Sequence, residues 1–291
     1  MGCELCPRRC GADRNEKTGF CGEGNVLRAA KACLHFWEEP CVAGRGGAGT
    51  VFFTGCNLRC VYCQNRAISA GGRGKQITVD RLRAIFDELI WQGADTIDLV
   101  TPTHYIPQIA EALSKEKLPV PVVYNSGGYD AVPALKTLEG LIDIYLPDYK
   151  YADAALAARL SAAPDYPEAA LAAIKEMYRQ VGDPVFDGDG MLRSGLLVRH
   201  MALPGYVENT LDCVDALTAA LKPEQFLFSL MSQYTPPKDP LPDPALNRRL
   251  TEEEYERCVD YLYLCGLENG YVQELSSANE EYVPDFDLSG L

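Results

Sequence analysis

The stretch Gly55-Cys56-Asn57-Leu58-Arg59-Cys60-Val61-Tyr62-Cys63 decides how the rest of the chain is read. Its three cysteines are spaced to hold three corners of an iron–sulfur cube. Four thiolates would close all four irons and give an electron carrier, whereas three leave one iron open to bind and transform a second molecule. The same spacing, i, i+4 and i+7, also places three small apolar side chains on one face of an ordinary helix. The turn-like opening Gly55-Cys56-Asn57, directly after a β-rich run, favours a bent loop around an inorganic cluster.

Working outward, residues 50–54 read as a strand that runs into this loop. Further strands are expected at 95–100, 120–124, 142–146, 196–201 and 226–231. Helical patterns lie between and after them. The clearest carries Leu82, Ile85, Phe86, Leu89 and Ile90 on one face, with Thr78 to cap it and Gly93 to stop it. Others are expected at 154–160, 169–180, 211–221 and 252–264, while 183–190 and 236–244 read as loops rich in Pro, Gly and Asp. Alternating β and α elements with buried strands predict an α/β fold, a partial (β/α)6 TIM-like barrel with an N-terminal cysteine-rich extension. The expected divisions are 1–48 for the extension, 49–275 for the core and 276–291 for a tail.

In such folds ligand chemistry collects at the carboxyl ends of the strands. The three cysteines follow the first strand. Thr101-Pro102-Thr103-His104 follows the second, Asn125-Ser126-Gly127-Gly128 the third, Asp148 and Lys150 the fourth, and Gln233-Tyr234 the sixth. These polar residues converge on one rim. His104 and His200 are expected there in hydrogen-bonding or substrate-positioning roles, Tyr105 and Tyr234 are candidates to line a substrate channel, and Asp148 and Lys150 can also be read as an ion pair.

The chain of 291 residues is 47% hydrophobic, enough to bury a sizeable core. Its 27 Lys and Arg against 41 Asp and Glu leave a net charge of -14, which repels phosphate backbones and anionic headgroups. Neither a nucleic acid nor a membrane is expected as partner. No run approaches the ~20 apolar residues of a membrane span, and Met1-Gly2-Cys3-Glu4 does not open a signal segment, so a cytoplasmic location is expected. Twelve cysteines in a reducing compartment point to metal or cluster ligation before disulfides.

A second set, Cys3, Cys6, Cys10 and Cys21, supplies four thiolates. That number closes a tetrahedral zinc site or holds a whole 4Fe-4S cluster, and the spacing does not choose between them. Free thiols or an air-formed disulfide is the plainer reading. Cys33 and Cys41, near His35, are alternative ligands, with ordinary packing the favoured reading, and Cys213, Cys258 and Cys265 read as core.

The Cys-x3-Cys-x2-Cys loop, with Tyr62 as the aromatic before its last cysteine, resembles that of the radical SAM superfamily. The likeness extends along the chain to glycyl-radical-enzyme activases, typified by the pyruvate formate-lyase activating enzyme, and to their PflX-type relatives. It is carried by Cys63-Gln64-Asn65, His35-Phe36-Trp37-Glu38-Glu39-Pro40, Thr101-Pro102-Thr103-His104-Tyr105 and Leu146-Pro147-Asp148-Tyr149-Lys150-Tyr151. Val198-Arg199-His200, Leu203-Pro204-Gly205 and Ser232-Gln233-Tyr234 add to it. The resemblance implies a 4Fe-4S cluster on Cys56, Cys60 and Cys63, whose open iron chelates S-adenosylmethionine. Reductive cleavage of that cofactor then gives methionine and a 5′-deoxyadenosyl radical.

The resemblance also places Tyr62, Asn125, Ser126 and Arg199 at the cofactor, with Arg199 near its carboxylate; a salt bridge within the barrel is the plainer reading of Arg199. The Gly-Gly-Glu stretch that holds the methionine amino group in activases is absent, and Thr101-Pro102-Thr103 stands in its place. By the same likeness the electron donor is a flavodoxin or ferredoxin, and the target is a glycyl radical enzyme or another protein. A radical enzyme acting on a small molecule or peptide, and a non-catalytic iron–sulfur electron-transfer protein, are the alternatives. The tail from Tyr282 to Leu291, with Pro284 and Phe286, is a candidate lid or docking edge.

Overall fold

A computed structural model describes residues 2–277 and 284–291. All six expected strands are present, and the sequence reading missed four shorter or flanking ones. In chain order they are β1 (Arg28–His35), β2 (Ala48–Phe53), β3 (Lys75–Gln76), β4 (Thr96–Val100), β5 (Val122–Ser126), β6 (Ile144–Pro147), β7 (Val185–Phe186), β8 (Leu192–Met201), β9 (Leu227–Met231) and β10 (Gly270–Val272).

The sheet runs β10-β9-β8-β6-β5-β4-β2-β1-β3, with β7 paired to β8. From β2 to β10 every neighbour on this path is parallel, and the spatial order follows the chain without reversal. A doubly wound sheet would reverse at a switch point; continuous winding in one sense makes a barrel wall. The path ends at β10 on one side and β3 on the other, so the barrel is partial. Strands β2, β4, β5, β6 and β9 are buried along their whole length, which is why they read as apolar runs and not as alternations.

The helix Val79–Trp91 forms as its pattern predicts. The Thr78 hydroxyl accepts from Arg81 N–H at 3.0 Å, and Leu82, Ile85, Phe86 and Leu89 are buried. Helices Ala154–Ser161, Tyr166–Val181, Val207–Ala220 and Glu252–Leu264 occupy the other expected positions, and Ile106–Leu113 is one the sequence reading left out.

Residues 1–48, read as lacking clean periodicity, contribute β1, which pairs antiparallel with β2. The tail is tied to the outer side of the same strand. Ala32 N–H donates to Ser289 O at 3.0 Å, Leu288 N–H donates to Ala30 O at 3.1 Å, and Phe286 packs its ring 5.6 Å from Phe52. Of the candidate lid, Tyr282 lies outside the described residues. No helix among the described residues is long and apolar enough to cross a membrane.

Candidate functional site

Residues 55–65, between β2 and the short helix Arg66–Ser69, form a bent loop with no helical turn. That rules out the helical reading of Cys56, Cys60 and Cys63. Gly55 makes the bend, at φ 78°, and a Cβ there would lie 2.4 Å from Glu23 Cγ and 2.8 Å from Cys21 O. Backbone bonds fix both shoulders of the loop. Cys56 N–H donates to Cys21 O at 3.2 Å, and Val61 N–H donates to Leu160 O at 2.9 Å.

Each loop sulfur has a polar neighbour. Leu58 N–H donates to Cys56 Sγ at 3.4 Å, Ser161 Oγ donates to Cys60 Sγ at 3.0 Å, and Cys63 Sγ lies 3.3 Å from Ser69 Oγ. Because Ser161 donates to the sulfur, its oxygen accepts from Tyr151 at 2.8 Å, and Tyr151 in turn accepts from Tyr62 at 2.5 Å. Tyr62 is thus locked against the loop it belongs to, its ring 6.0 Å from that of Tyr234. Ser161 belongs to no motif; packing of the helix Ala154–Ser161 under the loop brings it there, beside Tyr151 from the string that follows β6.

Burial raises the Cys56 thiol to about 12, with Cys60 and Cys63 adding to the shift, and it raises Cys60 as well. Thiols shifted as Cys56 and Cys60 are ionise only beside compensating positive charge, which a thiophilic metal cluster would provide. No group of three or more His, Cys, Asp or Glu among the described residues stands at the spacing of a bare metal ion. Cys56, Cys60 and Cys63 are the three thiols of the loop that could hold an iron–sulfur cluster.

Beside the loop, inside the barrel, is a cavity of about 300 Å³. Cys60, Cys63, Tyr62, Asn125, Arg199 and Tyr234 line it, together with Glu38, Glu39, Asp148 and Lys150. Arg199 is the hub. Its Nε donates to Asp148 at 3.1 Å, Nη1 to Glu38 at 3.1 Å and Nη2 to Asn125 Oδ1 at 2.6 Å. The barrel salt bridge and a place on the cavity wall therefore coexist. Lys150 Nζ donates to Asp148 at 2.6 Å. Burial opposes ionisation of Asp148, but Lys150 and Arg199 outweigh it and hold the carboxyl below its usual range.

The other acids behave oppositely. Burial raises Glu39 despite Arg199, and raises Asp98 with Glu38 reinforcing the shift. Glu39 Oε2 and Asp98 Oδ1 have no hydrogen-bond partner among the described residues. Four carboxyls thus face two fixed cations, and two of the four are driven toward the neutral form.

Thr101, Pro102, Thr103, Ser126 and Cys56 do not line this cavity. Thr101 has φ 61° and its N–H donates to Asn125 O at 2.8 Å, joining the ends of β4 and β5. Thr103, Tyr124 and Ser126 all donate to the buried Asp130, at 2.7, 2.7 and 2.6 Å. Tyr105 lies away from the cavity too, donating to Glu23 Oε2 at 3.0 Å.

Both rim histidines are buried braces. His104 Nε2–H donates to Thr54 O at 2.6 Å, and His200 Nδ1–H donates to Tyr149 O at 2.6 Å while Nε2 accepts from Thr210 at 2.9 Å. Burial lowers each to about 4 from the ordinary 6.5. The unfolded chain binds these protons and the folded chain does not, so the stability is full above about pH 6.5 and is lost as pH falls toward 4. The unfolding free energy from urea titrations is expected to drop over that window, by about 3 kcal/mol per histidine. His200→Gln should remove part of the drop; an unchanged pH profile in that variant refutes the assignment.

The Radical SAM superfamily model matches residues 50–188, from within β2 past the cysteine loop to the loop after β7. An uncharacterized protein of Methanocaldococcus jannaschii is 28% identical over 277 residues, covering 89% of this chain and 73% of that protein. Among solved structures, Streptococcus suis SuiB aligns at a TM-score of 0.51 alone and 0.50 bound to S-adenosylmethionine or to precursor peptide SuiA. Identity to SuiB is 12%, so the likeness is one of fold. The alignments cover 78–79% of this chain, which spans about half the length of the SuiB chains. A 4Fe-4S cluster and S-adenosylmethionine are the cofactors this superfamily implies.

Proposed function

We propose that this protein is a radical SAM enzyme that acts on a polypeptide, either by activating a glycyl radical enzyme as its PflX-like sequence suggests or by modifying another protein. One observation carries the reading. The cavity beside Cys60 and Cys63 shares Tyr62, Cys63, Gln64, Thr235 and Pro284 as walls with a neighbouring space of about 750 Å³. Pro236, Pro237 and Pro240 stiffen the far wall of this groove, and Arg66 and Lys238 flank it. A small substrate calls for a closed chamber of its own size, whereas a groove leading to the reacting centre suits an extended segment.

Within this reading the chain's residues divide the work. Cys56, Cys60 and Cys63 would hold the cluster, which when bound would supply the electron for reductive cleavage of S-adenosylmethionine. Arg199, with Asn125 at its tip, offers a carboxylate a planar fork. Glu38 and Asp148 offer an ammonium group acceptors in the same wall, and Tyr62 and Tyr234 shield the space from water. A flavodoxin or ferredoxin serves as donor.

Anaerobic reconstitution, reduction and addition of S-adenosylmethionine is expected to yield 5′-deoxyadenosine. No product from protein with full iron content would sink the radical chemistry. A backbone glycine radical or another radical-derived change on a polypeptide supports the target; coupled turnover of a small molecule alone overturns it.

A further inference from the structure

The cysteines outside the loop form a second construction of their own. Two turns face each other. In the first, Arg9 N–H donates to Cys6 O at 3.0 Å with Arg9 at φ 41°, while Cys3 N–H to Ala12 O at 3.0 Å and Gly11 N–H to Cys3 O at 3.1 Å zip the flanks together. In the second, Gly22 N–H donates to Gly19 O at 3.0 Å and Gly19 N–H to Glu23 O at 2.9 Å, presenting Cys21. Gly19 sits between the two. A Cβ there would lie 3.2 Å from Cys10 Sγ and 3.5 Å from Cys21 Sγ, so the missing side chain leaves the space between these sulfurs clear.

Backbone N–H groups two residues on lie at two of these sulfurs, Arg8 N–H at Cys6 and Ala12 N–H at Cys10, as Leu58 N–H lies at Cys56 in the loop. Among residues 2–26, the buried apolar side chains are Cys6, Ala12 and Cys21, which is no core. A segment this poor in apolar burial keeps a fixed shape only when something cross-links it. All four cysteines are free thiols, so no disulfide does so.

We propose that Cys3, Cys6, Cys10 and Cys21 bind a second metal centre, a thiophilic ion or an iron–sulfur cluster on four thiolates, which fastens the extension to the cysteine loop. The connection is direct. Cys21 O receives Cys56 N–H, and Arg8 Nε donates to Asn57 O at 2.8 Å while its guanidinium lies 4.1 Å over the Phe20 ring. The four sulfurs do not stand at bare-ion spacing, so loading a single ion closes the two turns further.

The test uses the full chain with Cys56, Cys60 and Cys63 all changed to Ala, so that retained metal reports the N-terminal site whatever the loop does. Expected is about one zinc without acid-labile sulfide, or about four iron with matching sulfide. Adding Cys3→Ser and Cys10→Ser, at the two less buried positions, should release it. Metal absent from the triple variant, or retained after both serines, overturns the proposal. Should the triple variant not fold, cobalt(II) titration of the metal-free native chain replaces it. A four-thiolate charge-transfer spectrum that Cys3→Ser with Cys10→Ser abolishes supports the site, and no thiolate band refutes it.

Discussion

Cys60→Ala is expected to reduce 5′-deoxyadenosine formation to the level of a mixture without protein. Cys60 lies at the centre of the loop and on the cavity wall, and its sulfur ends the Tyr62–Tyr151–Ser161 hydrogen-bond chain. Without it the loop has two thiolates for a cube that needs three, so iron content in the loop should fall together with product. Ser161→Ala gives the contrast. It removes a hydrogen bond to the same sulfur but no ligand, so the cluster should load and its reduction potential should become more negative, because the sulfur regains the electron density the hydroxyl withdrew. Full iron and product in Cys60→Ala would show that the loop does not hold the cluster.

Arg199→Ala is expected to weaken both the fold and binding of S-adenosylmethionine. Its guanidinium is shared among Asp148, Glu38 and Asn125. Removing it leaves Glu38, Glu39, Asp98 and Asp148 with Lys150 as the remaining charged partner on that wall. Breaking a buried charge network by deleting one partner costs about 3–5 kcal/mol. The penalty has a pH signature. Protonating the stranded carboxyls relieves it, so part of the lost urea midpoint should return as pH is lowered from 7 toward 6, before the histidine effect dominates. A uniform loss at every pH would mean that Arg199 acts through packing alone.

Sequence periodicity located all six long parallel strands, because five are buried on both faces and β8 is buried over Gly195–Val198, so each is written with an apolar run. It missed β1, β3, β7 and β10. Two of these are two residues long and another three, and β1 lies in a stretch whose cysteines and charges mask any alternation. The tyrosines show a similar divide. Tyr62 could be singled out by its place before Cys63, but Tyr105 and Tyr234, alike in sequence as aromatics near strand ends, diverge in space: Tyr234 walls the cavity and Tyr105 turns to Glu23.

By itself the sequence determined the cysteine loop, the winding of strands and helices, and the rim on which polar residues gather. These are local properties, set by spacing along the chain and by the burial period of each element. Tertiary structure alone decided which rim residues face the cavity. Thr103 and Ser126 turn to Asp130, Arg199 gathers Glu38 from a segment 161 positions away, and the N-terminal cysteines come to lie against the loop. A side chain's partners depend on which distant elements packing brings within ~3 Å, and no periodicity encodes that distance.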